Sequence, residues 1–115
     1  MSIERLESGA RLSEAVVHGG LVYLAGHVSE RPEASVRDQT HEVLGQIDRH
    51  LAMAGSSKSK LLAVSIWLAD MSTFAEMNAA WDAWVDRQNL PARATVEARL
   101  ASPDFKVEIA GIAAI

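Results

Sequence analysis

The chain has 115 residues, 49% of them hydrophobic, with 11 basic and 15 acidic side chains and a net charge of −4. This length suits one domain over residues 1–115, and the acidic balance with scattered basic residues lacks the footprint of a nucleic-acid binder. The absence of cysteine excludes disulfides, thiolate metal sites and a cysteine nucleophile. No apolar run approaches the roughly 18 residues of a membrane helix and the opening MSIERLESGA has no apolar core, so a cytosolic protein that avoids the membrane is expected.

A short strand is predicted near residues 3 to 7. In 14 to 27, EAVVHGGLVYLAGH, two β-rich arms flank His18, Gly19 and Gly20, and paired glycines supply the positive φ of a tight hairpin. Over 33 to 54, Val36, Thr40, Val43, Leu44, Ile47 and Leu51 fall on one stripe of a 3.6-residue period, with Gly55 as the stop. KLLAVSIWLA, 60 to 69, puts Leu62, Val64, Ile66 and Leu68 on one face of a strand covered on both sides. From 70 to 88 a second helix is predicted, with Thr73 and Glu76 as a capping box and Phe74, Met77, Trp81 and Trp84 as its apolar stripe.

Pro91 breaks that helix, and 92 to 100 alternates Ala92, Ala94, Val96, Ala98 and Leu100 with Arg93, Thr95, Glu97 and Arg99. Ser102, Pro103 and Asp104 then predict a turn into Phe105, Val107 and Ile109, giving a last hairpin. On this reading Arg93, Thr95, Glu97, Lys106 and Glu108 all lie on the face turned away from the helices. The order β, β, β, α, β, α, β, β predicts an α+β fold, one mixed sheet with two helices on one face. The other face would carry Ala63, Trp67, Ala69, Ala110 and Ile112, which are not water-loving, so a second copy of the chain is expected to cover it.

Few residue patterns suggest chemistry. His41 and His50 are nine residues apart on one helix and point to opposite sides, His18 belongs to a turn, and His27 reads as a structural strand-end histidine, so no metal site and no histidine pair are expected. No nucleophile elbow or phosphate-binding glycine loop is present. The Trp81 and Trp84 pair reads as core or interface. The polar residues of the C-terminal strands remain, with surface ion pairs as their simplest role.

In those strands LPARATVEARL and FKVEIAGIAA, together with VVHGGLVYLAGHV, GSSKSKLLAVSIWLAD and FAEMNAAWDAWV, the sequence resembles the Rid or YjgF family along nearly its whole length, most closely the short YoaB-like members. The resemblance implies a chorismate-mutase-like fold assembled as a homotrimer with clefts between subunits. It further implies a cofactor-free 2-iminoalkanoate deaminase, hydrolysing 2-imino acids to 2-oxo acids and ammonia. In that family pattern Arg93 would bind the substrate carboxylate, Asn78 would lie near the cleft, and Glu108 would position the attacking water. Thr95 stands where many deaminase members have a cysteine, and Leu12 where they have a tyrosine. The alternative function is a non-catalytic trimer that binds small carboxylate metabolites; endoribonuclease activity, attached to some family names, ranks third.

Overall fold

The computed structural model describes Met1–Ile115. In chain order it has β1 (Glu4–Ser8), β2 (Ser13–His18), β3 (Leu21–Val28), α1 (Val36–Met53), β4 (Leu61–Leu68), α2 (Phe74–Trp84), β5 (Ala92–Glu97) and β6 (Val107–Ala114). The six strands form one sheet in the order β1-β2-β3-β6-β4-β5. No helix is long and apolar enough to cross a membrane.

The predicted N-terminal hairpin forms, with Gly19 at φ 60° and Gly20 at φ 79° between the paired residues His18 and Leu21. A two-residue turn with both central φ values positive matches the twist of the flanking strands, and only glycine adopts it without strain. In α1, Ser35 caps the start by accepting from the Asp38 N–H at 3.1 Å. At the other end Gly55, at φ 82°, lets the Ser56 N–H reach the Leu51 carbonyl at 2.8 Å and its own N–H reach Ala52 at 3.0 Å. These two bonds make a Schellman stop. Val36, Thr40, Val43, Leu44, Ile47 and Leu51 are all buried, so the predicted stripe is the core face of α1.

The second helix is shorter than 70–88 and begins differently. Its capping box does not form, because the Thr73 hydroxyl donates to the Asp70 carbonyl at 2.6 Å while Asp70 accepts from the Ser72 N–H at 2.9 Å. A 3₁₀ turn over Met71–Thr73 results, and α2 starts at Phe74. It ends at Trp84, well before Pro91, where the Lys58 ammonium donates to the Trp84 carbonyl at 2.6 Å.

The largest correction concerns the C-terminal strands, which do not form a hairpin. β5 lies at the sheet edge, parallel to β4, with Val64 beside Arg93 and Ile66 beside Thr95. α2 supplies the crossover that parallel neighbours require. β6 instead enters the middle of the sheet, antiparallel to both β3 and β4. Its sequence VEIAGIAA suits that place, being apolar or small on both faces for most of its length, whereas an edge strand can carry the charges of β5.

Both helices pack on the face formed by Val22, Leu24, Val64, Ile66, Leu68, Val107, Ile109 and Ala113, all buried. Leu62 does not join them: a register shift between Leu61 and Ala63 leaves it 50% exposed. Opposite lies a helix-free face whose cross-strand rows are Val16, Tyr23, Ile112 and Ala63, then Ala110, Ser65 and Ala94, then Glu108, Trp67 and Val96. Trp67 and Ile112 are half-buried, while Tyr23 and Val96 are 42% and 49% exposed. The expected apolar surface is therefore present, and the chain itself covers only one side of the sheet.

Gln39 ties the helix layer to the loop before β6. It is fully buried; its amide donates to the Arg31 and Asp104 carbonyls at 3.0 and 3.1 Å, and its oxygen accepts from the Lys106 N–H at 3.0 Å. Gln39→Leu keeps the volume but strands three backbone groups, and should cost about 2–4 kcal/mol. Urea unfolding of the variant would measure it.

Candidate functional site

The alternation of β5 sets the site. Arg93 and Thr95 share a face with Val64 and Ile66, so they point toward the helices, contrary to the expectation that all the polar C-terminal residues face away. Glu97 follows them, its carboxylate accepting from the Met71 N–H at 2.9 Å just before α2. Lys106 turns toward the start of α1, where its ammonium donates to the Ala34 carbonyl.

α2 runs over Arg93 and holds it. The Arg93 Nη1 donates to Asn78 Oδ1 at 2.9 Å, and the guanidinium carbon lies 5.1 Å from the Trp81 ring centroid and 5.9 Å from that of Phe74. An aromatic face attracts a guanidinium and restricts its swing without occupying its donors. Trp81 and Phe74 thus contribute to the site as well as to the helix stripe, a role that helical spacing does not reveal. Trp84 is anchored separately, its indole N–H donating to Asp48 at 2.8 Å.

Arg93 belongs to no ion pair; the chain's pairs are His27 with Glu14, Arg31 with Glu42 and Arg49 with Glu7. Two residues along β5, the Thr95 hydroxyl is buried and has no hydrogen-bond partner. An unpaired buried hydroxyl is costly, so positions 93 and 95 together present donors that the chain leaves unused.

Glu108 occupies the other face. It sits on β6 between Val28 of β3 and Trp67 of β4, in the helix-free row. Its carboxylate lies across Gly26, where an added Cβ would come 1.9 Å from the carboxylate oxygen and 2.9 Å from the carboxyl carbon. Glycine at 26 is therefore what makes room for it. Beside Gly26 the register of β3 slips between Leu24 and His27, a bulge of the kind often found next to functional sites. Leu12 lies in the segment joining β1 and β2 and is 55% exposed.

The predicted residues thus fall into two groups. Arg93, Asn78 and Thr95 come together beneath α2, and Glu108 stands on the opposite side of the same sheet. The bulge also turns His27 inward, so that it meets His50 with Nε2 2.9 Å from His50 Nδ1. The expectation that no histidine pair exists is overturned, although both rings are almost fully buried, at 2% and 3% exposure.

Residues 2–115 match the family model described as Endoribonuclease L-PSP. A RutC family protein of Haemophilus influenzae is 53% identical over 114 residues, which is 98% of each chain. RutC family protein YoaB of Escherichia coli is 45% identical over 115 residues, the whole of both. A crystal structure of a YjgF family member from Neisseria meningitidis matches with a TM-score of 0.96 at 48% identity, covering 99% of this chain and 95% of that one. With the family model spanning nearly every residue and relatives of this similarity matching end to end, the chain belongs to the Rid/YjgF family.

Proposed function

We propose that the protein is a cytosolic 2-iminoalkanoate deaminase that needs no cofactor, with Arg93 as the carboxylate anchor. The observation that carries this reading is the state of Arg93, a guanidinium oriented by Asn78 and two aromatic rings yet paired with no carboxylate of its own chain. Its planar fork suits a substrate carboxylate, making two parallel charge-assisted hydrogen bonds that fix orientation as well as charge. Thr95 adds a hydroxyl beside that anchor.

The chemistry is addition of water to the carbon of the protonated imine. Glu108 accepts a proton from the water as its oxygen bonds to that carbon, and that proton passes to nitrogen. The C–N bond then breaks to release ammonia while the hydroxyl gives up its remaining proton to Glu108, forming the C=O of the 2-oxo acid. Arg93 and Glu108 lie on opposite faces of one sheet, so the reading requires an assembly in which Glu108 of one copy meets Arg93 of the next. β5 is an edge strand and the helix-free face is apolar, both of which suit a closed homotrimer with three such clefts.

Ammonia release from freshly generated 2-iminopropanoate or 2-iminobutanoate tests the activity, and a rate no faster than buffer would contradict it. The exposed Leu12 favours a second reading, a non-catalytic trimer that binds 2-oxo acids or similar small carboxylates, because no phenol is supplied at that position. Binding that depends on Arg93 without turnover would select it. RNA is disfavoured as a substrate by the net charge of −4 and by the burial of the histidine pair.

Gly26→Ala provides a further check on Glu108. The methyl group would displace the end of a flexible side chain rather than backbone, so the fold should survive while turnover falls about tenfold or more through misplacement of the carboxylate. Kinetics and a melting curve on the same sample would separate the two effects.

A further inference from the structure

At the end of β2 and β3 nearest α1, remote from Arg93, three potential donors converge without any part in the proposed deamination. Glu14, His27 and His50 offer ligand atoms that all lie within 4.8 Å of one another. They border a cavity of 530 Å³ whose other lining residues include Glu7, Glu30 and Glu42. We propose that Glu14, His27 and His50 bind a divalent transition metal ion of the zinc class, with its remaining coordination position open to this acidic cavity.

The hydrogen bonds of the two rings favour the ligating form. His27 Nδ1 lies 2.6 Å from the Ala25 carbonyl and His50 Nδ1 lies 3.0 Å from the Gln46 carbonyl. A carbonyl can only accept, so each Nδ1 carries the hydrogen and each Nε2 of a neutral ring is a bare lone pair. Backbone acceptors on one ring nitrogen are a usual way of orienting a metal-ligating histidine. The His50 Nε2 is buried and has no hydrogen-bond partner in the chain, so its lone pair is unsatisfied at 3% residue exposure.

Spacing is compatible. Zinc bonds of about 2.0–2.1 Å in a tetrahedral set place neighbouring donors about 3.3 Å apart. Glu14 Oε2 is 3.5 Å from His27 Nε2, and the Glu14 side chain, 37% exposed, is free to swing toward His50. The 2.9 Å contact between the rings runs from His27 Nε2 to His50 Nδ1, so ligation through His50 Nε2 requires the His50 ring to turn and give up that contact. Two imidazoles and a carboxylate suit zinc, cobalt or nickel rather than magnesium or calcium, which prefer all-oxygen sites.

The full-length protein, stripped with a chelator and titrated with Co²⁺, tests this directly. We expect one ion per chain, the visible absorption of a cobalt centre with nitrogen ligands, displacement by one equivalent of Zn²⁺, and a higher melting temperature with metal. Glu14→Gln, at a partly exposed position, should keep the metal-free melting temperature and weaken binding by about tenfold or more. His50→Gln should abolish it, and His41→Gln, on the exposed side of α1, should leave it unchanged. Absence of stoichiometric binding at micromolar metal, binding that survives Glu14→Gln at full affinity, or binding lost in His41→Gln would overturn the proposal. Should His50→Gln fail to fold, Glu14→Gln alone decides.

Discussion

Arg93→Ala is expected to remove carboxylate recognition while leaving the protein folded. The loss of a two-pronged, charge-assisted contact is worth about 3 kcal/mol, so kcat/KM for 2-imino acids and the affinity for 2-oxo acids should both fall about 10²-fold. Stability should change by only about 1 kcal/mol, because Arg93 is half-buried and its side chain makes one hydrogen bond, to Asn78. Arg93→Lys should recover part of the charge but not the fork, and Asn78→Ala should show a smaller loss, since Asn78 orients the guanidinium instead of replacing it. Steady-state kinetics with 2-oxo acid titrations would establish the ranking, and an Arg93→Ala protein of native affinity would remove the arginine from the site.

Glu108→Gln is expected to separate binding from turnover. The substitution preserves shape and removes the ability to accept a proton, so kcat should fall about 10²–10⁴-fold. Product affinity, which depends on Arg93, should stay within about twofold, because a group acting mainly in the transition state contributes little to the ground-state complex. No hydrogen bond or ion pair of the chain uses the Glu108 carboxylate, and it rests over Gly26; stability should therefore hardly move. Equal turnover in the variant would take Glu108 out of the mechanism.

The parts of this structure that rest on local physics were legible in the sequence. The stripe of α1, its Gly55 stop and the two-glycine turn each follow from residues within one or two turns of chain. The pairing of β5 and β6 was not, because alternation fixes which residues share a face but not which strand lies alongside. The difference between the two strands did contain a signal: VEIAGIAA is small or apolar on both faces and belongs in the centre, while ARATVE carries charge and belongs at an edge.

That error also reversed a face. With β5 beside β4, Arg93 aligns with buried Val64 and turns toward α2, so the arginine and Glu108 separate although both follow the expected alternation. The capping box at Thr73 failed for a different reason, since Asp70 offered the preceding turn a closer set of bonds. The His27 and His50 contact depends on a bulge between Leu24 and His27. A bulge moves a residue from one face to the other, and simple alternation cannot register it.

The central claim is that each working site joins Arg93 of one copy to Glu108 of another. Arg93→Ala and Glu108→Gln proteins, each inactive alone, should be unfolded together, refolded as a mixture and assayed for ammonia release from 2-iminopropanoate. Random assembly of equal amounts would give about one quarter of the clefts both native residues, and hence about one quarter of wild-type activity. A mixture no more active than its separate components, under conditions where refolded wild-type protein is active, would contradict a site shared between copies.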